Sequence, residues 1–122
     1  MIQVSNLKKT YGSRVLFEGL TFSLNKGDRV GLVGRNGSGK STLIKIIVGL
    51  EEADEGQITQ PQNYKIGYLD QHIHFTKNQL LEECIQALPK EQEHDFYRAE
   101  KILFGLGFSE DDMQKQPNQF SG

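Results

Sequence analysis

The nine residues Gly34-Arg35-Asn36-Gly37-Ser38-Gly39-Lys40-Ser41-Thr42 constrain this chain more than any other stretch. Glycines this closely spaced do not suit the interior of a helix or strand, where each loses more backbone freedom than any other residue. They suit a loop whose backbone N–H groups turn inward on one point. After the loop, Leu43, Ile44, Ile46, Ile47 and Leu50 are apolar at helical spacing. A helix is therefore expected to start at Lys40 and to end near Gly49. Before the loop, Arg29-Val30-Gly31-Leu32-Val33 is short, apolar and β-branched, and reads as a buried parallel strand.

The stretch matches G-x-x-x-x-G-K-[ST], a pattern built for phosphate. The glycines let N–H groups approach phosphate oxygens, and the helix start points its positive dipole end at the same anion. Lys40 adds a full charge for β and γ phosphates. Ser41 offers a hydroxyl to Mg²⁺, and Thr42 can support the α phosphate. The plain alternative is a glycine-rich turn. The strand before it and the helix after it favour phosphate.

Elsewhere the pattern is mixed. Ile2 and Val4 alternate with polar residues, as do Leu20, Phe22 and Leu24, so both runs read as strands with one buried face. Tyr11-Gly12-Ser13 reads as a turn between them, and Val15 to Phe17 as extended. Asn25-Lys26-Gly27-Asp28 reads as a tight turn. It has the guanine-reading pattern of small GTPases, but it precedes the glycine loop instead of following it. Asp54-Glu55-Gly56 turns the chain, Gln57-Ile58-Thr59 is extended, and Lys65-Ile66-Gly67-Tyr68-Leu69 reads as another strand. Past Gln71 the signal becomes helical. Leu80, Leu81, Cys84, Ile85 and Leu88 share one face, with a capping box expected from Thr76 and Gln79 and a stop at Pro89. Phe96, Ala99, Leu103 and Leu106 mark a second helix closed by Gly105 and Gly107, and Ser109 is placed to cap a third.

A net charge of −2 leaves no broad basic field for nucleic acid, and Lys8, Lys9 and Arg14 are too few for a patch. The single cysteine, Cys84, excludes an internal disulfide and reads as a core thiol. No signal peptide is visible, and no apolar run nears the roughly 20 residues a spanning helix needs. A soluble, cytoplasmic chain without direct membrane insertion is expected. His72 and His74 flank Ile73, but two ligands make a poor metal site, and solvated loop histidines are the simpler reading.

Taken together, these motifs resemble an ABC ATPase domain along essentially the whole chain. The fold this implies is α/β: a P-loop NTPase core with an antiparallel β portion over residues 1–71, then a partial helical subdomain over 72–122. The resemblance implies ATP and Mg²⁺ as cofactors. Gly34, Arg35, Asn36, Gly37, Ser38, Gly39, Lys40, Ser41 and Thr42 would hold the phosphates. Tyr11 stands where the family's A-loop aromatic stacks on adenine. Gln71, in Gly67-Tyr68-Leu69-Asp70-Gln71, matches the Q-loop glutamine, which in relatives reaches Mg²⁺ and the attacking water. Lys40 and Gln71 are thus the implied catalytic residues, and Ser41 and Gln71 the metal contacts. Phe120-Ser121-Gly122 resembles the start of the signature motif, which caps the γ phosphate held by a partner ABC domain.

Three stretches look most like the ABC-F branch, soluble proteins with two ATPase domains that act on ribosomes. They are Arg29 to Gly37, Ile66 to Gln71, and Leu103 to Phe108 leading to Phe120-Ser121-Gly122. Ser121 follows Gln71 by only 50 positions, which leaves no room for the long arm many ABC-F proteins carry there. The alternative is the ATPase subunit of a membrane transporter, with a membrane-embedded partner subunit. The family's Walker B Asp, the Glu after it and the switch His all follow the signature motif, and would lie beyond Gly122. On that reading this stretch by itself hydrolyses ATP poorly, and its loop-preceding strand exposes apolar edges that favour marginal stability or association.

Overall fold

A computed structural model describes residues 1–92 and 94–120. Its contacts divide the chain into two units, Met1–Tyr68 and Leu69–Gly122. In the first, strand β1 (Ile2–Tyr11) and strand β2 (Arg14–Leu24) form an antiparallel hairpin. The hairpin closes on Tyr11 opposite Arg14, with Gly12 at φ 58° supplying the left-handed turn residue. Helix α1 (Lys40–Ile47) follows, then strand β3 (Glu55–Thr59), which pairs antiparallel with the other edge of β1. The sheet order is β2-β1-β3.

Strand alternation explains only part of what is buried. Ile2 and Val4 point inward as period two requires, but the next buried residue is Leu7, three positions on. The phase shift comes from Asn6, whose φ of 51° inserts a bulge and turns Leu7 back to the core face. Gly56 faces that bulge on β3, and a Cβ there would sit 2.5 Å from the Asn6 carbonyl oxygen. Val4 and Leu7 pack with Leu43 and Ile46 of α1, and Phe17, Leu20, Phe22, Ile47, Ala53 and Ile58 complete the cluster. α1 ends on a Schellman turn. Gly49 takes φ 81°, its N–H donates to the Ile46 carbonyl at 3.1 Å, and the Leu50 N–H donates to the Lys45 carbonyl at 2.8 Å.

Two expected strands do not form. Arg29–Val33 is irregular, with Val30 67% and Val33 93% exposed, and Lys65–Leu69 is likewise outside any sheet. A strand needs a hydrogen-bonded neighbour, and among the described residues neither run has one. An apolar run reads the same in sequence whether or not that neighbour is present.

The second unit is helical: α2 (Leu80–Ile85), α3 (Phe96–Gly105) and α4 (Glu110–Met113). Leu80, Leu103 and Met113 form its core, with Leu81, Cys84, Phe108 and Phe120 against them. Cys84 is half-buried in this cluster, and burial pushes its thiol above the usual range. The capping box expected from Thr76 and Gln79 is absent, because Glu83 reaches back instead and accepts from the Thr76 and Lys77 N–H groups at 3.0 and 2.7 Å. α2 also stops at Ile85, short of Leu88. In α3, Ala99 and Leu103 are buried, whereas Phe96 and Leu106 are exposed. Gly105 is the last residue of α3, and the left-handed closure falls to Gly107 alone, at φ 95°. The Ser109 cap forms as expected: Ser109 and Asp112 exchange side-chain-to-backbone bonds at 3.2 and 2.9 Å.

Candidate functional site

The glycine loop is shaped by its own backbone and by two cations. The Ser38 N–H donates to the Arg35 carbonyl at 3.1 Å, closing a turn over Asn36 and Gly37. Gly37 sits at φ 77°, and Arg14 on β2 donates to its carbonyl at 2.7 Å, tying the loop tip to the hairpin. Lys40 folds back across the loop. Its ammonium donates to the Gly34 carbonyl at 2.5 Å and the Arg35 carbonyl at 2.8 Å, and approaches Ser38 Oγ at 3.5 Å.

Besides Gly37 with its left-handed φ, two more glycines of the loop are required by space or conformation. A Cβ on Gly34 would lie 2.6 Å from Ser38 Oγ. Gly39 has φ 98°, and a Cβ there would lie 3.3 Å from the Phe17 ring and the Leu16 side chain. Gly39 is also the residue from which α1 springs. No side chain caps that helix start, and its first turn carries no acidic residue. The positive end of α1 therefore has no protein anion of its own there. Ser41 is exposed at this end and Thr42 half-buried. An ammonium, two hydroxyls and the amides of a glycine cradle form a donor set suited to a polyphosphate, with Ser41 a fitting oxygen ligand for Mg²⁺. The residues present thus fit the nucleotide that the motif implies.

Tyr11 ends β1 with its ring 49% exposed. Its hydroxyl donates to the Glu51 carboxylate, has Thr42 as a further hydrogen-bond neighbour, and lies on a ring approached by the Lys9 ammonium, 5.2 Å from the centroid. The hydrogen bond to Glu51 raises the Tyr11 phenol above its ordinary range, and the same bond, with Lys9 beside it, holds the Glu51 carboxyl below its own. The fold thus brings Tyr11 to the helix that carries Lys40, Ser41 and Thr42.

Gln71 belongs to the second unit. It is exposed and, with His72, His74, Phe75, Phe108 and Phe120, lines a cavity of about 720 Å³. Phe120 meets Phe108 edge to face at 5.2 Å. Ser121 and Gly122, the expected signature start, lie outside the described residues. Sequence reading missed Arg14 as a loop-holding residue and Glu51 as a partner of Tyr11. The hairpin turn at Gly12 could have pointed to Arg14. No spacing pattern points to Glu51, which the fold delivers from 40 positions away.

Comparison with known proteins shows the family. The ABC transporter family profile matches residues 17–122. The uncharacterized ABC transporter ATP-binding protein YfmR of Bacillus subtilis (strain 168) is 35% identical over 116 residues, 95% of this chain and 18% of that protein. The energy-dependent translational throttle protein EttA of Escherichia coli (strain K12) is 48% identical over 71 residues, 58% of this chain and 13% of that protein. The chain thus spans less than a fifth of the length of these two relatives. Among solved structures, the dimeric structure of MJ0796, a bacterial ABC transporter cassette, superposes with a TM-score of 0.77 at 25% identity, covering 100% of this chain and 64% of that one. A phosphate-suited loop of this geometry, in a fold shared with solved cassettes and under a family match that takes in most of the chain, means that this protein belongs to the ABC transporter family of ATPase domains.

Proposed function

We propose that this chain supplies one nucleotide-binding half-site of an ABC-F-like protein that binds Mg-ATP, pairs with a second ABC domain and acts on the ribosome in the cytoplasm. The observation that carries the nucleotide reading is the loop from Gly34 to Thr42, with its glycine-shaped cradle, its uncapped helix start and Lys40 across it. In this reading Lys40, Ser41, Thr42 and the backbone of Gly34 to Gly39 hold the phosphates, Ser41 and Gln71 serve Mg²⁺, and Tyr11 takes the adenine. Bound Mg²⁺ would supply Lewis-acid polarisation of the phosphates. The protein side contributes positioning and fixed positive charge, which is most of what phosphoryl transfer asks of an enzyme. Ser121 and Gly122 would start the signature motif that reaches the nucleotide of the partner domain, and hydrolysis in the whole protein would open and close the pair.

The translational role is supported by the likeness to the throttle protein EttA. The second reading, an ATP-binding subunit of a membrane transporter, is supported by the relative described as a transporter ATP-binding protein. No described helix is long and apolar enough to cross a membrane, so on this second reading the membrane-spanning part lies outside the described residues. Co-sedimentation of the full-length protein with ribosomes, with and without Mg-ATP, separates the two. ATP-dependent pelleting with ribosomes supports the first. Pelleting with membranes, and none with ribosomes, supports the second.

A further inference from the structure

The turn at Gly49 sends the chain from the end of α1 back along β1. The returning segment is clamped there. The Asp54 N–H donates to the Lys8 carbonyl at 2.9 Å, and Asp54 Oδ2 accepts from the Thr10 N–H at 2.6 Å and the Thr10 hydroxyl at 2.8 Å. Lys9 Nζ donates to the Glu52 carbonyl at 2.7 Å and pairs with Glu51 at 3.2 Å. These contacts fix the Glu51 carboxylate against the Tyr11 hydroxyl. The aromatic side chain is therefore held at both ends, by the strand at its Cα and by Glu51 at its oxygen, while Lys9 covers one ring face.

We infer that Glu51 is a positioning residue for the nucleobase: by holding the Tyr11 hydroxyl it fixes the plane of the ring on which the base stacks. The inference rests on the adenine role proposed for Tyr11. A ring fixed in one orientation before binding has less rotamer freedom to lose when the base arrives. Lys9 occupies one face, so the base stacks on the other. Glu51 lies outside the loop from Gly34 to Thr42 and bonds to the Tyr11 hydroxyl, so its effect should reach affinity through the base.

That separation gives the test. Calorimetry compares Mg-ATP with Mg-tripolyphosphate, which has the same phosphates and no base, on the wild-type chain, Tyr11→Ala, Glu51→Ala and Glu51→Gln. The reading is the ratio of the two affinities. Tyr11→Ala is expected to lower it, and Glu51→Ala to lower it about fivefold, the net worth of one hydrogen bond. Glu51→Gln should stay within about twofold of wild type, because the amide oxygen still accepts from the hydroxyl. Unchanged tripolyphosphate affinity in Glu51→Ala reports that the loop remains folded. If Tyr11→Ala lowers the ratio and Glu51→Ala does not, the positioning role is overturned while the adenine role stands. An equal loss of both ligands in Glu51→Ala means a structural role only and also overturns it. An unchanged ratio in Tyr11→Ala, or no ATP binding by the wild type, removes the adenine role and the inference with it.

Discussion

Gly39 is the joint between the phosphate loop and α1, and its replacement by alanine tests whether the loop conformation matters. At φ 98° an L-residue is strained, at a cost of about 1–2 kcal/mol. The new Cβ would meet only side chains, Leu16 and the Phe17 ring at 3.3 Å, which can shift by a few tenths of an ångström. Steric cost is therefore secondary to backbone strain. The strain must show in one of two places. If the loop keeps its shape, it lowers stability by that amount. If the loop relaxes, the fraction of chains with a binding-competent loop falls, and apparent affinity for Mg-ATP falls by up to about 5- to 30-fold. Gly31→Ala is the control, since nothing lies within 4 Å of a Cβ there and its φ is not left-handed. The assay is calorimetric titration with Mg-ATP beside a thermal melt of the same sample. If Gly39→Ala matches Gly31→Ala in both affinity and melting temperature, the reasoning from loop conformation is wrong.

Leu7 is 1% exposed at the centre of the first core, so Leu7→Ala should cost about 2–5 kcal/mol in urea unfolding, whereas exposed Leu106→Ala should cost little. Arg14→Ala releases the Gly37 carbonyl from an exposed contact, so the expected loss of Mg-ATP affinity is at most about fivefold, read by calorimetry. Asp112 is held at about 2 by Lys115 and by the Ser109 hydrogen bonds. A lowered carboxyl stabilises the fold above the unfolded value near 3.8, so the α4 cap should hold above about pH 4 and weaken as pH falls towards 2. An NMR titration of the Ser109 amide checks this, and Asp112→Asn should abolish the transition.

The loop and the helix start at Lys40 were more legible in the sequence than the sheet around them. The loop over Gly34 to Gly39 and the start of α1 at Lys40 could be read because their signals are local, glycine spacing followed at once by helical apolar periodicity. The Ser109 cap was legible for the same reason, since its two bonds span three positions. Arg29–Val33 was misread because strand formation depends on a neighbour that no pattern within the run encodes. The Asn6 bulge was also invisible, although it decides that Leu7 is buried. It depends on Gly56 arriving opposite it from another strand. The Glu51–Tyr11 bond is long-range in the same sense. It exists because Gly49 turns the chain and Asp54 clamps it, and neither residue carries a signal of that partnership.

The central claim is that this loop binds nucleotide phosphates and that Lys40 is essential to it. Titration of Mg-ATP into the wild-type chain and Lys40→Ala, with circular dichroism on both to establish folding, tests it most directly. Binding by the wild type that a folded Lys40→Ala loses is the expected result. Equal binding by both proteins would contradict the claim, because the nucleotide would then be held somewhere other than the loop from Gly34 to Thr42.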